Sequence, residues 1–255
     1  MSASSIRKFH LKQFSLSHHE STMKVGMDAT LLGIWAQVKE AENILDIGTG
    51  CGILSLLLAS KCSAQIDAIE LDLASANEAG ENFQNSAFYD RMQVTAVDIN
   101  QFAQAHFKKY DVIISNPPFF INDQRSKDKK KTQARHSDFL SFDQLIVAVR
   151  KLMKPDGKCF LVLPYNEGKI FTEKAIENNL HLQQQQLIFP YRGATPNRIN
   201  MQFGVEEPVK IKTEKFIIRE EDGLFSQQYK FFLKDYLIGF TGFVHFGNNP
   251  DFSFH

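Results

Sequence analysis

Residues 43–59, NILDIGTGCGILSLLLA, indicate the fold of this chain most clearly. The apolar run NILDI is followed by glycines at alternate positions and then by an apolar stretch that begins at Ile53. Glycine lets the backbone turn sharply and lets a ligand approach where any Cβ would collide. The stretch therefore predicts a strand, a ligand-binding turn and a helix. Its G-x-G-x-G spacing differs from the G-x-G-x-x-G of dinucleotide-binding loops.

The rest of the chain alternates short β-rich runs with helical patterns, which indicates a single α/β domain with a mostly parallel sheet and helices on both faces. We predict seven strands, at residues 43–47, 65–70, 92–97, 111–115, 158–163, 187–190 and 200–205. We predict helices at residues 52–60, 73–85, 142–153, 167–178 and 226–239. A further helix is expected over residues 28–37 with Asp28 as its N-cap, residues 154–157 (KPDG) as a turn, and residues 209–219 as an edge strand.

The composition excludes several classes of protein. The 255 residues are 43% hydrophobic and 23% charged, as in globular proteins, and 29 Lys plus Arg balance 29 Asp plus Glu. Any attraction to nucleic acid must therefore come from a local patch. The three cysteines form no Cys-x-x-Cys pair, and no apolar run approaches the roughly 18 residues of a membrane span. We expect a cytoplasmic protein with neither a metal nor a membrane segment.

Carboxylates lie at or next to the ends of three of the predicted strands. Asp46 precedes the glycine loop, Glu70 ends the second strand and Asp98 follows the third. At one sheet edge, Asp46 would suit an ammonium group, Glu70 two ribose hydroxyls and Asp98 an adenine amino group. S-Adenosylmethionine carries all of these groups, although Asp98 alone could equally cap a helix. The loop residues expected to contact this cofactor are Gly48, Gly50 and Gly52. The glycine loop and the acid at Glu70 resemble those of class I S-adenosylmethionine-dependent methyltransferases, which implies a Rossmann-like fold.

The fourth predicted strand runs directly into Asn116-Pro117-Pro118-Phe119. Proline has no N–H and cannot continue a central strand, so this corner is rich in hydrogen-bond acceptors. The Asn116 side-chain oxygen and the Pro117 carbonyl could each accept a proton of a planar amine, while Phe119 stacks on its plane. An ordinary strand-ending turn is the alternative. The corner resembles the Asn-Pro-Pro-Tyr/Phe motif of amino-methyltransferases, which implies N-methylation of a planar group, with Asn116 also beside the cofactor.

A basic stretch follows the corner. Residues 124–136 contain six Lys or Arg and one acid, which favours contact with phosphate if the stretch faces the substrate. A solvated loop is the alternative reading. The residues expected to contact RNA are Arg125, Lys129, Lys130, Lys131, Arg135 and His136, together with Arg198 farther along the chain.

The order of motifs resembles one particular family. Residues 23–33 (MKVGMDATLLG), DIGTGCG, ISNPPF, Ala134-Arg135-His136 and Ile217-Ile218-Arg219 are similar to the bacterial tRNA1(Val) (adenine-37-N6)-methyltransferases. The resemblance implies transfer of a methyl group from S-adenosyl-L-methionine to an adenine beside the anticodon of a tRNA. It also implies that Thr30 contacts the methionine end of the cofactor. Phe119 departs from the Tyr of many family members, so stacking is kept and a hydroxyl contact is lost.

Three segments follow from this reading. Residues 1–40 would close over the cofactor, residues 41–240 would form the methyltransferase domain, and the Phe-rich residues 241–255 remain unassigned. We expect a monomer that binds the anticodon stem-loop. A glutamine or ribosomal-guanine N-methyltransferase is one alternative, since such enzymes share the Asn-Pro-Pro corner. A non-catalytic RNA-binding assembly factor is the other.

Overall fold

The computed structural model describes residues 8–21, 25–117 and 140–238. Its strands are β1 Phe9–His10, β2 Ser15–Leu16, β3 Asn43–Ile47, β4 Gln65–Glu70, β5 Met92–Ala96, β6 Tyr110–Ser115, β7 Met153–Pro164, β8 His181–Tyr191, β9 Arg198–Gly204 and β10 Lys212–Arg219. Its helices are α1 Met27–Trp35, α2 Ile53–Ala59, α3 Leu73–Gln84, α4 Ile99–Ala105, α5 Phe142–Leu152, α6 Tyr165–Glu177 and α7 Gln227–Leu233.

Eight strands form the central sheet, in the order β10-β8-β9-β7-β6-β3-β4-β5, while β1 and β2 form a separate hairpin. Strand β9 runs antiparallel to both of its neighbours, and all other adjacent pairs are parallel. The mostly parallel sheet is confirmed. It has eight strands rather than seven because the predicted edge strand, β10, pairs with β8 and joins the same sheet.

Helices cover both faces of the sheet, as predicted. Apolar side chains of α1, α2, α3 and α7 share one core with one face of the sheet, and those of α4, α5 and α6 share a second core with the other. The first core also contains Leu11, Phe14 and Leu16 of the N-terminal hairpin region, all buried. The hairpin region is therefore fastened to the sheet by apolar burial.

Two local predictions are wrong. Gly26, and not Asp28, is the N-cap residue of α1, and Asp28 lies in the first helical turn. Residues 154–157 do not separate α5 from the next strand, because β7 already begins at Met153. Its pairing with β6 is interrupted there instead, between Tyr110 and Val112 on the β6 side. These residues thus form a bulge inside a long strand.

The order of the sheet reverses between β3 and β6, whose connections lead away in opposite directions. Ligands of open α/β sheets bind at such a point, outside the carboxyl ends of the strands. The glycine loop follows β3 and Asn116 follows β6, so the fold brings the two main predicted motifs to the same place. No helix in the described ranges is long and apolar enough to cross a membrane.

Candidate active site

The glycine loop presents bare backbone at the end of β3. Gly48, Gly50 and Gly52 have φ values of 71°, 56° and 89°, a region that L side chains rarely adopt. A Cβ built on Gly48 or Gly50 would meet no atom of the described residues within 4 Å, whereas one on Gly52 would lie 2.5 Å from Cε1 of Phe83. The first two glycines therefore border open space, and the third allows α2 to begin close against α3.

Asp46 lies beneath this loop and is fully buried. Its Oδ2 accepts hydrogen bonds from Thr49 Oγ1 (2.6 Å), Ser55 Oγ (2.7 Å) and Ser55 N (3.2 Å). Its Oδ1 has no hydrogen-bond partner among the described residues. Burial raises the pKa of Asp46 to about 6, against the opposing effect of the bonds from Thr49 and Ser55. One oxygen thus fixes the loop, and the other is an unused acceptor.

Glu70 joins the end of β4 to the same loop. Its Oε2 accepts from Gly50 N at 2.9 Å, and its Oε1 accepts from Asp72 N at 3.0 Å. Each carboxylate oxygen retains a lone pair, so the expected contact with ribose hydroxyls stays a prediction. Leu71, which follows directly, leaves 57% of its surface exposed. The sequence analysis does not predict this apolar surface beside the carboxylate. A leucine directly after an acid that ends a strand is the pattern that could have indicated it.

Asp98 caps α4, the alternative considered for it. Its Oδ1 accepts from the backbone N–H groups of Asn100 (2.9 Å) and Gln101 (3.2 Å). Such a cap satisfies amide groups that the first helical turn leaves free. The bonds use only one of the two oxygens, so a contact with an adenine amino group stays a prediction.

Asn116 and Pro117 form the described part of the Asn-Pro-Pro-Phe corner. Asn116 Oδ1 is buried without a hydrogen-bond partner among the described residues, and Pro117 is buried as well. Ser115 Oγ donates to the carbonyl oxygen of Ile47 at 2.7 Å and ties the end of β6 to the end of β3. The structure therefore holds the acceptor corner beside the glycine loop.

Thr30 and Arg198 have partners within the protein. Thr30 is buried, and its Oγ1 donates to the carbonyl oxygen of Gly26 at 3.1 Å. The Arg198 guanidinium lies 2.8 Å from Oδ2 of Asp28, with a third of its side chain exposed. This ion pair joins the start of α1 to the start of β9. A cofactor contact of Thr30 and an RNA contact of Arg198 stay predictions.

The remaining predicted contacts lie outside the described residues. They are Phe119, Arg125, Lys129, Lys130, Lys131, Arg135 and His136, and the same holds for residues 241–255. Within the described ranges, no group of three or more His, Cys, Asp or Glu residues is arranged to hold a metal.

Comparison with known proteins agrees with this geometry. The family profile described as "Methyltransferase small domain" matches residues 21–181. A solved structure, a predicted O-methyltransferase from Agrobacterium tumefaciens, has the same fold with a TM-score of 0.63, at 19% identity over 82% of this chain and 96% of its own. The fold and the site thus define a class I S-adenosylmethionine-dependent methyltransferase, and S-adenosyl-L-methionine is its methyl donor.

Curated relatives narrow the class to a family. Proteins named tRNA1(Val) (adenine(37)-N6)-methyltransferase include one from Phocaeicola vulgatus, 39% identical over 76% of this chain and 82% of the relative. Another, from Dyadobacter fermentans, is 36% identical over 91% of this chain and 98% of the relative. The chain belongs to the tRNA1(Val) (adenine(37)-N6)-methyltransferase family.

The residues present fit the donor. The open space over Gly48 and Gly50 admits a ligand against the backbone. The unpartnered Oδ1 of Asp46 is an acceptor suited to a ligand with positive charge. Glu70 supplies a second carboxylate at the neighbouring strand end.

Proposed function

We propose that this chain methylates N6 of adenine 37, beside the anticodon of tRNA1(Val). Two relatives that carry this activity in their names match this chain over 97% and 98% of their own length. The observation that supports the chemistry best is the buried Oδ1 of Asn116, an acceptor without a partner among the described residues. A buried acceptor left unpaired is costly, and a substrate N–H would relieve that cost.

The chain's own residues would orient the amine. An exocyclic adenine amine is a poor nucleophile because its lone pair is delocalised into the ring. Asn116 Oδ1 and the Pro117 carbonyl would each accept one N–H and leave the lone pair facing the donor. When bound, S-adenosyl-L-methionine supplies an electrophilic methyl group on a sulfonium. As the N–C bond forms, the methyl–sulfur bond breaks and the sulfur leaves as a neutral thioether. The amine, now positively charged, then releases one proton to water, so the corner needs no titrating base.

An adenine next to an anticodon lies in a single-stranded loop. Its base can be turned out into a pocket at a smaller unstacking cost than in a duplex. The chain can therefore act without a separate domain that opens double-stranded RNA.

The remaining parts of the proposal concern the context of the reaction. We assign contact with the anticodon stem-loop to the basic stretch of residues 124–136 and to Arg198, and stacking on the adenine to Phe119. Residues 1–40 serve as a cofactor-closing segment that precedes the methyltransferase domain of residues 41–240. The enzyme works as a monomer, without a metal, in the cytoplasm.

The test compares Asn116→Ala with Asn85→Ala, a matched change of an exposed asparagine at the end of α3. Each protein is incubated with labelled S-adenosyl-L-methionine and an unmodified tRNA1(Val) transcript, and donor binding is measured by calorimetry. We expect Asn116→Ala to lose about a hundred- to a thousandfold in kcat with a nearly unchanged donor Kd, and Asn85→Ala to retain both.

Separate pools of tRNA, ribosomal RNA and release factor identify the substrate. Label confined to tRNA, and lost when adenine 37 is replaced by guanine, supports the proposal. Label in release factor or ribosomal RNA would show that the chain catalyses a different N-methylation reaction. Wild-type activity of Asn116→Ala would remove the proposed mechanism.

A further inference from the structure

Two side chains of α3 hydrogen-bond to the backbone of residues 17–21, which we term the N-terminal strap. Glu78 and Asn82 lie one turn apart on α3, and both are buried. Glu78 Oε1 accepts from the backbone N–H groups of His19 (2.5 Å) and Glu20 (3.2 Å), and Oε2 accepts from that of Ser21 (2.9 Å). A single carboxylate therefore holds three successive backbone amides.

Asn82 holds the other end of the strap and also reaches the glycine loop. Its Oδ1 accepts from Ser17 N at 2.8 Å, and its Nδ2 donates to Ser17 O at 2.8 Å. The same Nδ2 donates to the carbonyl oxygen of Cys51, between the second and third loop glycines, at 2.8 Å. The Ser21 side chain also hydrogen-bonds to the thiol of Cys51. The strap, α3 and the loop are thus connected through a few buried polar contacts.

Apolar side chains anchor the chain just before the strap, and the chain after the strap leads to α1. Leu16, immediately before it, is buried in the core that α1, α2, α3 and α7 share. Residues 25–26 and the start of α1 follow it along the chain. Between these two parts, Glu78 and Asn82 hydrogen-bond to the strap backbone at both of its ends. These bonds from α3 support the position of the strap beside the loop.

The bonds to Glu78 are charge-assisted and form in a buried environment. Burial favours the protonated acid, but the bonds from Ser21, His19 and Glu20 outweigh it and lower the pKa of Glu78 below its ordinary value. The carboxylate is therefore the form that the strap requires. Hydrogen bonds of this type are roughly twice as strong as neutral ones. A neutral amide at position 78 would offer one acceptor oxygen in place of two and would direct an N–H group at a backbone donor.

We infer that Glu78 is a positioning residue for the methyl donor: it holds the N-terminal strap against the glycine loop and so sets the affinity of the cofactor site without touching the donor. The inference rests on the cofactor site described above and deepens the proposed function. It distinguishes two carboxylates, because Glu70 at the end of β4 bonds the loop directly, whereas Glu78 on α3 acts through the strap. The effect is expected on donor binding and not on the methyl-transfer step.

The test uses Glu78→Gln in the full chain, with Glu81→Gln as the matched control. Glu81 lies on the same helix with an exposed side chain, so both variants lose the same charge. Donor Kd is measured by calorimetry with S-adenosyl-L-methionine, kcat with saturating donor and tRNA, and backbone hydrogen exchange in peptides that cover residues 17–21. We expect Glu78→Gln to raise Kd about ten- to a hundredfold, to change kcat less than about twofold and to accelerate exchange in the strap. Glu81→Gln should match the wild type in all three.

Two further variants keep the test decisive. Glu78→Asp keeps a carboxylate and should recover most of the affinity. If Glu78→Gln fails to fold, Asn82→Asp takes its place in the test. This variant keeps the acceptor for Ser17 N but loses the donor to Ser17 and Cys51, and it should raise the donor Kd. A wild-type Kd in Glu78→Gln, an unchanged exchange rate in the strap, or a fall in kcat alone would each overturn the inference. Because Kd and exchange are read without tRNA, an enzyme that binds the donor but does not methylate tRNA would count against the proposed function only.

Discussion

Replacement of Asp46 by asparagine removes a charge that the free protein stabilises poorly. The carboxyl group is fully buried, and its pKa stands at about 6 against an ordinary value of 3.8. That difference corresponds to about 3 kcal/mol, since each tenfold change in proton affinity is worth about 1.36 kcal/mol. Asparagine keeps one oxygen for the bonds from Thr49 and Ser55, so the loop retains its main internal contacts.

The sign of the pH dependence follows from linkage. A folded-state pKa above the unfolded value means that the native state binds more protons between about pH 4 and pH 6. The contribution of Asp46 to stability is therefore complete below pH 4 and is lost as the pH rises through about 6. Asp46→Asn has no such loss. Relative to the wild type, the variant should become about 3 kcal/mol more stable at pH 7 than it is at pH 4.

Urea unfolding at several pH values between 4 and 8 measures this difference, and subtraction of the two proteins cancels the other titrating groups. Asp67→Asn is the control of opposite sign. Although burial acts to raise its pKa, hydrogen bonds from Lys108, Gln93 and Tyr110 lower the pKa of Asp67, so its stabilisation is present at neutral pH and lost as the pH falls. A variant-minus-wild-type difference at position 46 that stays constant within 1 kcal/mol across the range would refute the reasoning.

The remaining predictions concern the loop and the ion pair at the start of α1. Gly48→Ala should cost about 1 kcal/mol of stability but raise the donor Kd at least tenfold, because its methyl group enters the open space of the site. Gly52→Ala should cost roughly 2–4 kcal/mol in urea unfolding, because it adds a clash with Phe83 to the strain at φ 89°. Arg198→Gln should raise the KM for tRNA several-fold, whereas Asp28→Asn should not. An equal rise in both variants would show that Arg198 acts through its ion pair with Asp28 and not through contact with RNA.

Much of the fold was accessible from the apolar pattern alone. All seven predicted strands are present, and β3 and β4 match their predicted bounds. Strand β8 extends six residues farther towards the N-terminus than predicted, because its polar residues 184–186 pair on both sides with neighbouring strands that the local pattern does not reveal. The sequence of residues 154–157 predicts a turn in place of the bulge in β7 for a similar reason: Lys154 forms an ion pair with Asp111, a contact between distant residues.

The site was predictable in position but not in hydrogen bonding. Strand ends and glycine spacing identify which residues reach the carboxyl edge of the sheet, and this holds for Asp46, Glu70 and Asn116. The direction of each side chain depends on neighbours that only the fold supplies. Asp46 bonds inward to its own loop, and Asp98 caps α4. The hydrogen bonds from the N-terminal strap to Glu78 cannot be predicted for the same reason, since Glu78 lies nearly sixty residues after the strap in the chain.

Two buried acceptor oxygens without hydrogen-bond partners among the described residues destabilise the free protein. Asp46 Oδ1 and Asn116 Oδ1 are buried acceptors without partners in the described part of the chain, at the ends of the adjacent strands β3 and β6. Each such atom costs roughly 1–3 kcal/mol when nothing pairs with it. A cationic donor would relieve the first and a planar amine the second. Because relief of each cost is available only to the bound state, the same two atoms that lower the stability of the free enzyme would make its affinity for donor and base selective.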